Sequence, residues 1–147
     1  MKKKITRTVL LTLSVISGVL ILGRSDDETE KHFKRGVEYT NVEKYDKAIQ
    51  EFTHVITSDK NYDSAYLALG VVYAHKKMDR ESTELLKKAI ELDPKKEMAY
   101  FVLARVYEKL EENENAIQTW EKFLTLNPKD EHSKIAKKHL TRLKAKK

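Results

Sequence analysis

The 147 residues include no cysteine, only two prolines, four glycines and a single tryptophan. The missing cysteine excludes disulfide staples and thiol catalysis, and leaves the redox compartment open. Four glycines are too few for the loops that cradle phosphates, and the chain has no Walker loop, dinucleotide fingerprint or G-x-S-x-G elbow. Its five histidines, His32, His54, His75, His132 and His139, contain no i, i+4 pair and no H-E-x-x-H arrangement, so no zinc site is spelled out. No strand signal is present, and the profile suits one small helical domain. Catalytic residues, metal ligands and cofactors are therefore all expected to be none. The carboxylates Glu111, Glu112 and Glu114 read as a solvated turn rather than as acid–base machinery.

Charge is abundant, at 35% of residues, but unevenly placed. Residues 1–23 carry four Lys/Arg and no acid, residues 129–147 carry eight against two, and residues 24–128 carry 17 against 21. The net +6 thus hides a mildly acidic body between two basic ends. The acidic body argues against nucleic acid as a partner.

Residues 1–24 differ from the rest. Lys2, Lys3, Lys4 and Arg7 precede Val9–Gly23, an uncharged, mostly aliphatic stretch, after which come Arg24 and the acids Asp26, Asp27 and Glu28. As a helix this stretch would span roughly 22 Å, short of the ~30 Å hydrocarbon core, so it reads as a short signal anchor or a cleaved signal peptide. Residues 5–23 are the expected membrane contact. Basic residues before the stretch and acidic ones after it place the amino terminus in the cytoplasm and the remainder outside, in the periplasm of a Gram-negative source; the alternative is export after cleavage. Residues 25–28 form a polar linker.

From there a 34-residue period governs the chain. Gly36-x2-Tyr39, Gly70-x2-Tyr73 and Ala104-x2-Tyr107 fall in register, as do Asp93-Pro94 and Asn127-Pro128. Tyr66, Leu69, Gly70 and Tyr73 lie at i, i+3, i+4 and i+7, one face of a helix that must be buried. Gly70, costly inside a helix, predicts close approach of a neighbouring helix. After a break at Lys76–Asp79, Leu85, Leu86, Ala89, Ile90 and Leu92 make a second apolar face that ends before Pro94. Each unit is a helix–turn–helix pair that cannot cover itself alone.

These residues resemble the tetratricopeptide repeat family. The units are 29–62, with Gly36, Tyr39, Tyr45, Ala48, Phe52 and Val55; 63–96, with Tyr66, Leu69, Gly70, Tyr73, Leu86, Ala89 and Pro94; and 97–130, with Tyr100, Leu103, Ala104, Tyr107, Ala116, Trp120, Phe123 and Pro128. Departures are His32 and Arg35 at usually apolar positions, Lys60 for proline and Ser82 for alanine. The expected fold is all-α: three repeats in a right-handed superhelix, a basic cap helix and tail over 131–147, and a separate amino-terminal hydrophobic helix. In the cap helix Ile135, Ala136, His139, Leu140 and Leu143 form the apolar face. The aromatic residues fall on core positions of this frame rather than on a base-stacking platform.

The resemblance also implies a concave surface, made by positions of each first helix that packing does not need. Its expected contributors are Phe33, Val37 and Asn41, then Leu67, Val71 and His75, then Phe101, Arg105 and Lys109. An apolar middle with polar edges predicts a protein- or peptide-binding groove. Family members that grip an acidic chaperone tail use lysine and asparagine where this chain has Phe33 and Val37, which cannot donate to a carboxylate, so that sub-function is not expected. The sequence thus predicts a non-enzymatic, membrane-tethered interaction scaffold. Its alternatives are a self-assembling homo-oligomer whose groove another protomer fills, and an adaptor whose basic tail rests on a membrane surface.

Overall fold

The computed structural model describes residues 27–127 and 129–145, and the expected amino-terminal anchor, Pro128 and the last two lysines lie outside this range. Among the described residues there are seven helices: α1 (27–41), α2 (Tyr45–Ser58), α3 (Asp63–His75), α4 (Asp79–Leu92), α5 (Glu97–Lys109), α6 (Asn113–Leu126) and α7 (Glu131–Lys144). The pairs α1–α2, α3–α4 and α5–α6 are the three repeats, and α7 packs on α6 as the expected cap. Helices α3 and α5 also touch, so successive first helices form one wall of the stack. None of the described helices is long and apolar enough to cross a membrane.

The turn inside each pair is made without glycine. Glu43, Lys77 and Glu111 adopt positive φ of 57°, 61° and 60°, and they stand 34 residues apart. In each case the following amide reaches back to a tyrosine carbonyl in the last turn of the first helix: Lys44 to Tyr39 (2.8 Å), Met78 to Tyr73 (2.9 Å) and Glu112 to Tyr107 (2.9 Å). This closes the helix end in the manner usually given to a left-handed glycine. Between pairs the stop is an aspartate or asparagine in extended or near-extended geometry, at Asp59, Asp93 and Asn127. Asp59 accepts from the Asn61 amide (2.9 Å) and Asp93 from the Lys95 amide (3.0 Å). The side-chain turn explains how the first unit ends its second helix with Lys60 in place of proline.

Close approach within the pairs follows the period. A Cβ on Gly70 would lie 2.9 Å from Leu86 Cγ, and one on Gly36 would lie 2.5 Å from the Phe52 ring. Ser82, the departure from alanine in the second repeat, is fully buried, and its hydroxyl donates to the Gly70 carbonyl (2.7 Å) across the same contact. Two apolar clusters result. One holds Ala48, Phe52, Leu69 and Val72. The larger runs from Leu86 through Tyr100, Phe101, Trp120 and Phe123 to Leu143 on α7. Among the described residues the buried members of both clusters lie on α2 to α7, with Phe33 and Tyr39 of α1 packed against the first cluster.

The cap helix sits differently from its expected register. Ile135 is 39% exposed, while Ser133 is buried: its amide is held by Asp130 Oδ1 (2.7 Å) and its hydroxyl by the Asn127 carbonyl. Asp130 is thus the N-cap of α7, and its carboxylate turns the inner face toward Ser133, Ala136 and Leu143.

Candidate functional site

A cleft of about 210 Å³ opens between α3 and α5. Val71, Ala74 and His75 line it from α3, and Phe101, Val102, Arg105, Val106 and Lys109 line it from α5. The α3 residues project here because i, i+3 and i+4 lie on one helix face, and Arg105 and Lys109 stand 34 residues after Val71 and His75. The floor is aliphatic and aromatic. The rim carries His75, Arg105 and Lys109, all exposed, and among the described residues no carboxylate lines the cleft.

A second opening, of about 240 Å³, continues from it and shares Arg105 and Lys109, adding Glu108, His139 and Arg142. Glu108 is the anchor of this end. Its side chain is 11% exposed and accepts from Trp120 Nε1 (2.7 Å), lies 2.8 Å from His139 Nδ1 and pairs with Arg142. Burial alone would raise its pKa, but hydrogen bonds from His139 and Trp120, with the charges of His139 and Arg142, hold it below the usual glutamate value. The arrangement clamps α7 to α5 and α6. Lys109 is also engaged: it donates to the Ala74 carbonyl at the end of α3 (3.3 Å) and lies 3.5 Å from Asp79.

The nine residues expected on the groove divide into groups. Val71, His75, Phe101, Arg105 and Lys109 line the same cleft. Leu67 is half-buried against the larger core. Phe101 is only 8% exposed: its ring stands edge-on to Trp120, Phe123 and His132 at 5.1–5.4 Å, so it forms the floor rather than a projecting contact. Phe33 packs on Phe52 and Tyr62. Val37, 38% exposed, and Asn41, exposed, are not among the residues lining either opening. His75 stacks on Tyr45 of the preceding repeat, with ring planes 9° apart. The concave positions implied by the resemblance include Ala74 and Glu108; sequence reasoning missed Val102 and Val106 as lining residues and the anchoring role of Glu108. The signal for Glu108 was its place in the 34-residue frame, one residue before Lys109.

Among the described residues no three His, Asp or Glu side chains converge so as to hold a metal ion. His32, Glu51, Arg35 and His54 do cluster where α1 meets α2: His32 Nδ1 lies 2.6 Å from Glu51, Arg35 Nε 3.3 Å from the same carboxylate, and the two imidazoles are 3.7 Å apart.

Comparison with known proteins follows this geometry. A Tetratricopeptide repeat model matches residues 32–62 and 63–96, and another with that description matches 85–118, together more than half of the chain. Similar solved structures include a TPR domain of Arabidopsis OM64, at 19% identity and TM-score 0.76, over 80% of this chain and 98% of that one. The TPR2B domain of yeast Sti1, in a complex with pHsp70, gives 19% and 0.76 over 82% and 98%. The second TPR domain of human RPAP3, in complex with the HSP70 peptide SGPTIEEVD, gives 22% and 0.75 over 82% and 98%. No curated protein matches the chain. At these identities the structural likeness speaks for the fold.

Proposed function

The chain belongs to the tetratricopeptide repeat family, and on that premise we propose that it is a non-enzymatic scaffold that holds a segment of a partner protein in the cleft between α3 and α5. The observation that carries this reading is the cleft itself: an aliphatic and aromatic floor at first-helix positions, rimmed by exposed cations and left uncovered by α7. Related folds bind partners: the human RPAP3 domain is in complex with an HSP70 peptide and the yeast Sti1 domain with pHsp70. The chaperone-tail clamp does not transfer, because Phe33 and Val37 stand where its donors would be.

We further propose that residues 1–24 tether the scaffold to a membrane, with the repeats on the extracytoplasmic side. The support is the charge order of the sequence, basic before the apolar stretch and acidic after it. Protease added to intact cells or spheroplasts is expected to degrade the repeats; full protection would reverse the orientation, and a mature amino terminus near Asp26 would replace the anchor by a cleaved signal.

The groove is tested with residues 25–147 and the double variant Leu67→Glu, Val71→Glu in affinity capture, with size-exclusion chromatography on both. The variant is expected to keep its helical circular dichroism and lose the partner. Retention of every partner and the same oligomeric state would refute the groove. A change of oligomeric state alone would favour filling by a second copy.

A further inference from the structure

We infer that the outer face of α7 docks on an anionic lipid bilayer, at the opposite end of the stack from α1 and independently of both the groove and the tether. One stripe defines the face. Lys134, Lys137, Lys138 and Thr141 fall at i, i+3, i+4 and i+7 of the helix, and all four are exposed. They point away from Ser133, Ala136 and Leu143, which are buried against the stack.

The charge of this face is not balanced by its neighbours. Residues 129–145 hold six Lys/Arg against the two acids Asp130 and Glu131. Asp130 is engaged in capping α7 through the Ser133 amide, and Glu131 lies in the first turn, where the helix dipole favours it. Arg142 is turned to Glu108, and Lys144 lies 2.7 Å from Glu121. Lys134 and Lys138 form no ion pair among the described residues. Helix α4 shows the contrary arrangement, with Lys87 paired to Glu84 and Lys88 to Glu91.

Ile135 decides between polyanions. It is 39% exposed, beside Lys134 in the chain and one turn before Lys138. An apolar side chain among lysines enters the interfacial layer of a bilayer, whereas a phosphate backbone offers it no contact. The helix also has no Phe, Tyr or Trp on which a base could stack. Because the main apolar face of α7 is already packed on the stack, attachment is chiefly electrostatic, and salt should weaken it.

The chain has no cysteine, so a single introduced thiol carries a probe to one place. The test uses the full chain with Thr141→Cys, on the stripe, or Gln50→Cys, exposed on α2, each labelled with an environment-sensitive fluorophore. Vesicles are phosphatidylcholine alone, or phosphatidylcholine and phosphatidylglycerol in equal parts. The probe at position 141 is expected to shift to the blue and to lose access to an aqueous quencher on the anionic vesicles only, reversibly with high salt. The probe at position 50 should not respond to either. Each lysine near an anionic surface strengthens binding about fivefold, so Lys134→Gln, Lys138→Gln should raise the lipid concentration at half-shift roughly 25-fold. Equal responses at position 141 to both vesicles, no response to the anionic ones, or a shift that survives high salt or the lysine pair would overturn the inference. Duplex DNA that moves the probe at a lower phosphate concentration than the anionic vesicles would overturn it in favour of nucleic acid. Association with neutral vesicles reports on residues 1–24 alone, so the tether reading and this one fail separately.

Discussion

The two ends of this repeat stack solve the same problem with different chemistry. At position four of the frame α1 has His32 where α3 has Tyr66 and α5 has Tyr100, and at position seven it has Arg35 where they have Leu69 and Leu103. Leu69 and Leu103 are buried, whereas His32 is half-buried, Arg35 exposed, and both turn to Glu51 of α2. At the carboxy-terminal end the equivalent surface is closed by α7, over Trp120 at 0% exposure and Phe123 at 1%. Stability therefore rests on apolar burial alone at one end and on apolar burial beside a partly buried charge cluster at the other. Burying a large side chain is worth roughly 1.5–3 kcal/mol, whereas a half-exposed ion pair contributes at most about 1 kcal/mol. The closed end holds the larger apolar cluster, and the cleft is built beside it.

Five sets of substitutions break or sharpen this contrast. Trp120→Ala should have the largest effect, a loss of about 3–5 kcal/mol in urea unfolding, since it empties the most buried aromatic site and frees Glu108 from one donor. Glu108→Ala should cost about 2 kcal/mol by leaving Trp120 Nε1 and His139 without their acceptor, and hydrogen exchange should then rise first in α7. The same residue gives a pH signature. Its folded pKa is lowered, so its contribution is fully present above the ordinary glutamate range and is lost as pH falls through the folded value; wild type should lose more stability than Glu108→Gln on going from pH 7 to pH 3.

The opposite end should respond with the opposite sign. The triple change His32→Tyr, Arg35→Leu, Glu51→Leu installs the residues that repeat two carries at those positions, and replacing a partly buried charge cluster by apolar contacts should raise stability by about 1 kcal/mol. Equal or lower stability in thermal unfolding would mean the cluster is not the weak point. The smallest effect is common to both ends. Glu43→Gly, Lys77→Gly and Glu111→Gly should each add about 0.5–1 kcal/mol by relieving a left-handed residue, and similar gains at all three would show that the turns do not contribute to the asymmetry.

Much of this was written in the 34-residue spacing. Gly36 and Gly70 mark the close contacts, the Tyr39, Tyr73 and Tyr107 series marks the helix ends, and Leu92–Asp93–Pro94 marks the stop. What escaped were contacts whose partners lie on different elements. Ser82 reads as a flaw in the pattern until its hydroxyl is seen on the Gly70 carbonyl. Glu108 reads as one more surface acid, because Trp120 is 12 residues away and His139 is 31. Phe101 does line the cleft, but as a floor residue rather than a projecting contact, and the edge of His132, on the cap helix, cannot be placed by periodicity. Likewise Ile135 falls on the apolar stripe of α7, but the Asp130–Ser133 cap rotates that stripe away from it.

The most direct test of the account is hydrogen–deuterium exchange of residues 25–147, free and saturated with the partner recovered by affinity capture. Binding in the cleft predicts new protection confined to the segments around 71–75 and 101–109. Protection appearing instead on α2, α4 and α6, with those two segments unchanged, would contradict it.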